Sequence, residues 1–189
     1  MSSARQPSRA SAESARTEPG PIRPVRFAAI FAACFLFGIG VLLTPPIQKL
    51  DVQFSRGLVK VAGGLIHICG GKSLVQGAIL REPVRGFAVE MRDGCNAVTV
   101  TILLWSAVLA FPAPRRQKLL GLLAGSLIIQ LLNIVRFISL FYIGQYSMMW
   151  FDFAHGYVWE TLLVLDTMVV FWLWVNRVFR TGAVLNGGR

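Results

Sequence analysis

Apolar residues fall along this chain in long runs, not in the scattered pattern of a soluble domain. The first run, Phe27 to Leu43, carries no charge and ends at Thr44-Pro45-Pro46. Three more follow: Ala97 to Phe111, bounded by Pro112-Ala113-Pro114; Leu119 to about Ile143; and Tyr157 to Val175. A helix needs roughly 20 apolar residues to cross a bilayer, so these four are read as membrane spans, the second a short one. Arginines before the first run give it the look of a signal peptide, but no small-residue cleavage site follows. Between the first two spans, Phe54 to Ile68 is half apolar and carries Arg56 and Lys60, the pattern of an amphipathic helix at the membrane surface. Ser73 to Leu80 and Phe87 to Met91 alternate loosely on either side of a Pro- and Gly-bearing connection, Arg81 to Gly86. That predicts a short β-hairpin whose second strand delivers the chain to Cys95. The expected fold is an all-α integral membrane protein of about four transmembrane helices, with a short extracytoplasmic β-hairpin and amphipathic helix.

Composition agrees with that reading and narrows it. Of 189 residues, 54% are hydrophobic and 15% charged, and the mean hydropathy is +0.59. A chain of this length holds about three to five spans and little else, which excludes a two-domain soluble enzyme and a disordered protein. Residues 1–26 are the exception. Rich in Ser, Ala, Pro and Arg, they bury too little to offset their ordering entropy and are expected to form a disordered basic tail. The membrane domain then runs over 27–176, with a second tail at 177–189.

A net charge of +10 would ordinarily suggest nucleic acid. In a membrane protein, Lys and Arg report topology instead, and no nucleic-acid partner is expected. Arg5, Arg9, Arg16, Arg23 and Arg26 precede the first span; Arg115, Arg116 and Lys118 join the second to the third; Arg177, Arg180 and Arg189 follow the fourth. Four spans put all three groups on one side. Lys/Arg-rich short loops stay cytoplasmic, so both termini are expected there, with the 47–96 and 144–155 loops outside. The 47–96 loop has seven Lys and Arg of its own, but also Asp51, Glu82, Glu90 and Asp93, and long loops obey the rule weakly.

This topology brings three reactive side chains to one leaflet. Cys95 precedes the outer end of the second span, Arg136 lies near that of the third, and His155 just before that of the fourth. Bundles build sites from facing helices in this way, although linear spacing does not force contact. An arginine on a long apolar helix costs roughly 2.5–3.5 kcal/mol at mid-bilayer on insertion scales, which marks Arg136 as a functional candidate. Gln130 and Asn133 stand at three-residue spacing before it, a polar stripe that must face protein or water. Cys, His and Arg together suit acyl transfer: a sulfur nucleophile, a proton carrier, and a cation that favours thiolate and holds a developing oxyanion. Asn96 flanks the thiol, and Asp152, three residues before His155, is placed to orient it, although a solvated loop acid is the plainer reading.

Three separated motifs resemble the exosortase/archaeosortase family in order and spacing. They are Phe87 to Ala97, containing Asp93-Gly94-Cys95-Asn96-Ala97; Gln130 to Tyr142, containing Asn133-Ile134-Val135-Arg136; and Phe153-Ala154-His155-Gly156-Tyr157-Val158-Trp159. The resemblance spans about residues 27–176, and among compact members the chain is most like exosortase H. It implies a multi-pass cysteine peptidase or transpeptidase of the bacterial cytoplasmic membrane, with Cys95, Arg136 and His155 catalytic. Its implied partners are exported proteins ending in a short motif, a membrane helix and a basic tail, cleaved on the extracytoplasmic face through a Cys thioester. Many members have Cys-Ser-Gly where this chain has Cys95-Asn96-Ala97.

Other features carry less. Gly70-Gly71-Lys72-Ser73 looks like a phosphate-binding loop, but its required first glycine falls on Ile66. His67, Cys69, Cys95 and His155 have weak spacing for a metal, and no metal or other cofactor is expected. Three cysteines, Cys34, Cys69 and Cys95, are too scattered for a disulfide framework. Asp166, the one acid deep in an apolar span, lies 11 residues beyond His155, roughly 16 Å deeper. It is expected to be a protonated, structural hydrogen-bond partner of Gln130. Two other readings stay open: a non-catalytic multi-pass subunit with a structural cysteine, and a cytoplasmic-face acyltransferase of inverted topology.

Overall fold

The computed structural model describes residues 24–92 and 94–187. Most of the expected basic tail, residues 1–23, lies outside them, as do Asp93 and residues 188–189. Helix α1, Pro24–Leu42, opens on a proline, whose fixed φ and missing N–H suit a first helical turn. Pro24 to Arg26, assigned above to the tail, are therefore helical. Helix α2, Pro45–Ile68, is the amphipathic helix, extended toward its N-terminus by Pro45 and Pro46 in the first turn. It buries Ser55, Leu58, Val59, Ala62 and Ile66, the i, i+3, i+4, i+7 stripe of a helix with one wet face.

Three strands follow: β1, Leu74–Gln76; β2, Ile79–Arg81; and β3, Ala88–Glu90. They form one antiparallel sheet in the order β1-β2-β3. The single long strand expected over 73–80 is itself a hairpin, broken by a two-residue turn at Gly77-Ala78. In the β2–β3 connection the Glu82 carboxylate accepts from the backbone N–H groups of Val84 and Arg85. Desolvation pushes the Glu82 carboxyl up, but those N–H groups and the Arg85 charge outweigh it and hold it below the usual carboxylate range.

Helix α3, Val98–Ala110, leads through a short proline-bearing link to α4, Arg115–Tyr146. The short helix α5, Met148–Phe153, runs through a π-helical turn, Ala154–Val158, into α6, Trp159–Gly187. Residues 177–187, assigned above to a C-terminal tail, thus continue α6. Among the described residues, three helical segments are long and apolar enough to span: Pro24–Leu42, Arg115–Tyr146 and Met148–Thr181. The protein is membrane-embedded and mainly helical. Helix α3 has 13 residues, about 20 Å against a hydrocarbon core of about 30 Å.

Helix α4 organises the rest. Its buried face carries Gly121, Gly125, Ile129, Asn133, Arg136, Phe137, Leu140 and Gly144, while Leu119, Leu123, Leu127, Leu131 and Val135 are exposed. The four-residue repeat thus turns a row of leucines outward, toward lipid, and keeps the polar Asn133 and Arg136 inward among glycines and apolar side chains. Two cores result. One joins Leu58, Val59 and Ile66 of α2 to Leu80, Val89 and Met91 of the sheet region and Phe137 and Phe141 of α4. The other packs Leu104 and Val108 of α3 on Ile129 of α4 and Val170 of α6. The first core lies directly beneath Cys95 and supports it.

Candidate active site

Cys95 sits in a sharp turn between the sheet and α3. Its N–H bonds the Arg92 carbonyl at 2.9 Å. Gly94 has φ +87°, and Ala97, which caps α3, has φ +58°. The left-handed region is natural for glycine but costs an alanine about 1–2 kcal/mol. Such strain persists only where surrounding bonds over-determine it. Here Thr101 holds the Ala97 carbonyl through both its N–H and its hydroxyl. Asn96, 1% exposed, donates to Asp51 Oδ1 at 2.6 Å and Ser55 Oγ at 3.1 Å, and accepts from the Val98 N–H at 3.2 Å. The turn that presents the thiol is thereby fastened to α2.

His155 comes from the π-helical turn, where the extra residue per turn re-aims a side chain, a common device at functional sites. Its Nε2 lies 4.0 Å from Cys95 Sγ, at the outer limit for a sulfur hydrogen bond. Its Nδ1 lies 3.4 Å from Arg136 Nη2. A guanidinium can only donate, so this contact is a hydrogen bond in the tautomer that carries its proton on Nε2, facing sulfur. The Phe151 ring stacks on the imidazole with centroids 5.7 Å apart, and Phe87 meets Phe151 edge-on at 5.9 Å. Phe87 reaches this position only because Gly144 has no side chain: a Cβ there would overlap the ring. Arg136 is 3% exposed and is also attracted by the charge of Glu160, early in α6.

Cys95, Arg136 and His155 line one cavity of about 330 Å³, together with Asn133, Phe151 and the strand β3. Asn133 is fully buried. Gln130 is not in this cavity; it lines a separate apolar groove with Cys34 and Ile102. Each three-residue step falls about 60° short of a full turn, so Gln130 and Arg136 sit about 120° apart around α4. The expected Gln130–Asp166 hydrogen bond is not formed, and Gln130 Oε1 is buried without a protein partner among the described residues. Asp152 is exposed and does not line the cavity; Arg136 and Phe151 flank the imidazole instead. His67 Nε2 bonds the Ser73 carbonyl at 2.8 Å, tying the end of α2 to the sheet. Asp51, Ser55 and Phe151 were missed as site supports; Asp51 and Ser55 do carry a signal, an i, i+4 polar pair on one face of an amphipathic helix.

A multi-pass helical membrane protein with cysteine, histidine and arginine gathered beside a small sheet is the class that the fold and site define. A family profile described as transmembrane exosortase (Exosortase_EpsH) matches residues 23–175, and the chain belongs to that family. No curated protein and no solved structure matches the chain.

Proposed function

We propose that this exosortase-family protein is a cysteine peptidase or transpeptidase that cleaves the C-terminal sorting signal of exported proteins. The observation that carries the reading is the chain of contacts from Cys95 Sγ through both nitrogens of His155 to Arg136. The Cys95 thiol gives its proton to solvent water as the sulfur attacks the scissile carbonyl carbon, and the developing oxyanion draws the Arg136 guanidinium away from its long contact with Nδ1. The C–N bond breaks as the leaving nitrogen takes the Nε2 proton, while Nδ1 takes from water the proton that the thiol gave up. Water or another nucleophile then releases the acyl group from the thioester. Asn96 positions the thiol through α2, and Phe151 positions the imidazole.

In this reading the chain crosses the bacterial cytoplasmic membrane four times, with both termini cytoplasmic and the site outside. Helix α3 reaches about 20 Å, so the second crossing is the shortest of the four. Co-expression with a precursor bearing a short motif, a membrane helix and a basic end tests the chemistry. Processing should occur with the wild-type chain and vanish with Cys95→Ala at equal abundance. Unchanged processing by Cys95→Ala would favour a non-catalytic subunit. Reporter fusions at Ala113 and the C-terminus should read cytoplasmic, and one at Gly77 external. A cytoplasmic reading at Gly77 would move the site to the inner face.

A further inference from the structure

The cavity beside Cys95 has two features that catalysis by Cys, His and Arg does not use. Strand β3 is the edge of the sheet, with β2 on one side and, among the described residues, no strand on the other. The Leu80↔Val89 pairing, the Glu82 N–H to Phe87 carbonyl bond and the Met91 N–H to Ala78 carbonyl bond assign residues 87, 89 and 91 to the ladder. Antiparallel strands alternate, so Ala88 and Glu90 turn their N–H and C=O groups to the open edge. That edge faces the thiol's cavity, which is lined by three successive residues, Ala88, Val89 and Glu90. Successive side chains point to opposite faces, so a surface that meets all three meets the strand edge-on.

The second feature is Asn133. It is 0% exposed, lines the same cavity, and neither Nδ2 nor Oδ1 has a protein partner among the described residues. A buried unpaired amide costs about 1–3 kcal/mol per group, and this one presents a donor and an acceptor side by side, the complement of one peptide group.

From these two features we infer that the cavity binds an extended peptide segment, which adds as a fourth strand along β3 and pairs one peptide group with the Asn133 carboxamide. Strand addition takes affinity from main-chain bonds and specificity from alternate side chains. A cavity of about 330 Å³ holds a short stretch of chain and not a folded surface. This mode of binding rests on the peptidase reading and names how its substrate lies: the segment outside the membrane runs along β3 and crosses Cys95.

The test uses the full chain in lipid nanodiscs and a synthetic ten-residue peptide. The peptide copies the segment before the membrane helix of a same-genome protein that carries the C-terminal signal. Binding is measured to Cys95→Ser and cleavage to the wild type. N-methylation of the peptide, one residue at a time, should weaken binding at every second position by about tenfold and leave the positions between unchanged. Ala88→Pro deletes an edge-facing N–H group, which an edge strand tolerates, and Glu90→Pro deletes another together with the carboxylate that accepts from Arg92 Nε at 3.3 Å. Each should weaken binding about three- to tenfold, the weight of one hydrogen bond. The alkylation rate of Cys95 in wild-type background should stay unchanged, a check that the sheet and the turn are intact. Asn133→Leu should bind at least tenfold more weakly while its melting temperature holds or rises, because an unpaired polar group has been removed; a structural role would move stability the other way.

A flat N-methylation profile, edge prolines that bind normally, or no binding at millimolar peptide overturns the inference. If Cys95→Ser shows the alternating profile and the wild type leaves the peptide whole, strand addition stands and the peptidase reading falls. If the wild type cleaves the peptide and the profile is flat, the reverse holds.

Discussion

The cavity at Cys95 and the groove at Cys34 meet helix α4 one turn apart, at Asn133 and Gln130. The groove is the larger, about 860 Å³ against about 330 Å³. It lies among α1, α2, α3 and α4, and Phe37, Leu50, Ile102 and Leu109 are typical of its walls. No histidine, lysine or arginine lines it. The smaller cavity holds a cysteine with an imidazole on one side and a buried guanidinium beyond. Volume in this protein therefore follows where apolar helices splay, whereas the candidate site lies where polar groups are buried together and held. The holding is visible in hydrogen bonds: Asn96 is fastened at three points, and Gln130 Oε1 at none.

Substitutions can break this contrast. The largest difference should lie between the two cysteines. Cys95→Ala should lower precursor processing by at least about a thousandfold, as loss of a nucleophile does, and Cys34→Ala should leave it within about twofold, both read by immunoblot at matched abundance. Next come the residues around the imidazole. His155→Ala should cost about 100- to 10,000-fold, the range of a lost acid–base group. Arg136→Lys should also fail, because a point-charge ammonium cannot reproduce a planar multi-donor group; full activity there would show that only charge matters.

The supports should act through stability. Asn96→Leu removes three hydrogen bonds from the Cys95 turn and should cost about 1–3 kcal/mol, read as a lower melting temperature in detergent. Gln130→Leu should cost nothing and leave processing intact. The smallest expected effect has the opposite sign. Ala97→Gly relieves a left-handed alanine and should stabilise the chain by up to about 1 kcal/mol, and Ala97→Val should destabilise it.

Much of the candidate site was legible because burying charge in an apolar helix is expensive. Arg136 stands out on α4 for that reason, and placing Cys95 and His155 at the ends of neighbouring spans brought them to the same depth. Rotation about a helix was harder to read. Gln130, Asn133 and Arg136 form a straight stripe only on paper, and the 60° drift at each step sends Gln130 into another groove. The π-helical turn at Ala154–Val158 has no local sequence signal, and it re-aims the segment carrying Asp152 and His155. Ala97 is a second such case. Its φ of +58° is a strained conformation that an alanine gives no sign of in the sequence. The sheet was half legible: alternation located it, but the two-residue turn at Gly77-Ala78 was hidden within what read as one strand.

The most direct test of the account is the covalent intermediate. The full chain, mixed with precursor in nanodiscs and quenched in acid during turnover, should gain the mass of the precursor's acyl fragment. Digestion should place that mass on the Cys95 peptide, and hydroxylamine should release it, as expected of a thioester. The adduct should be missing from Cys95→Ser and should form far more slowly in His155→Ala, which lacks the proton donor for the leaving nitrogen. Precursor processing that continues in Cys95→Ser, with no adduct on the wild-type thiol, would contradict the account.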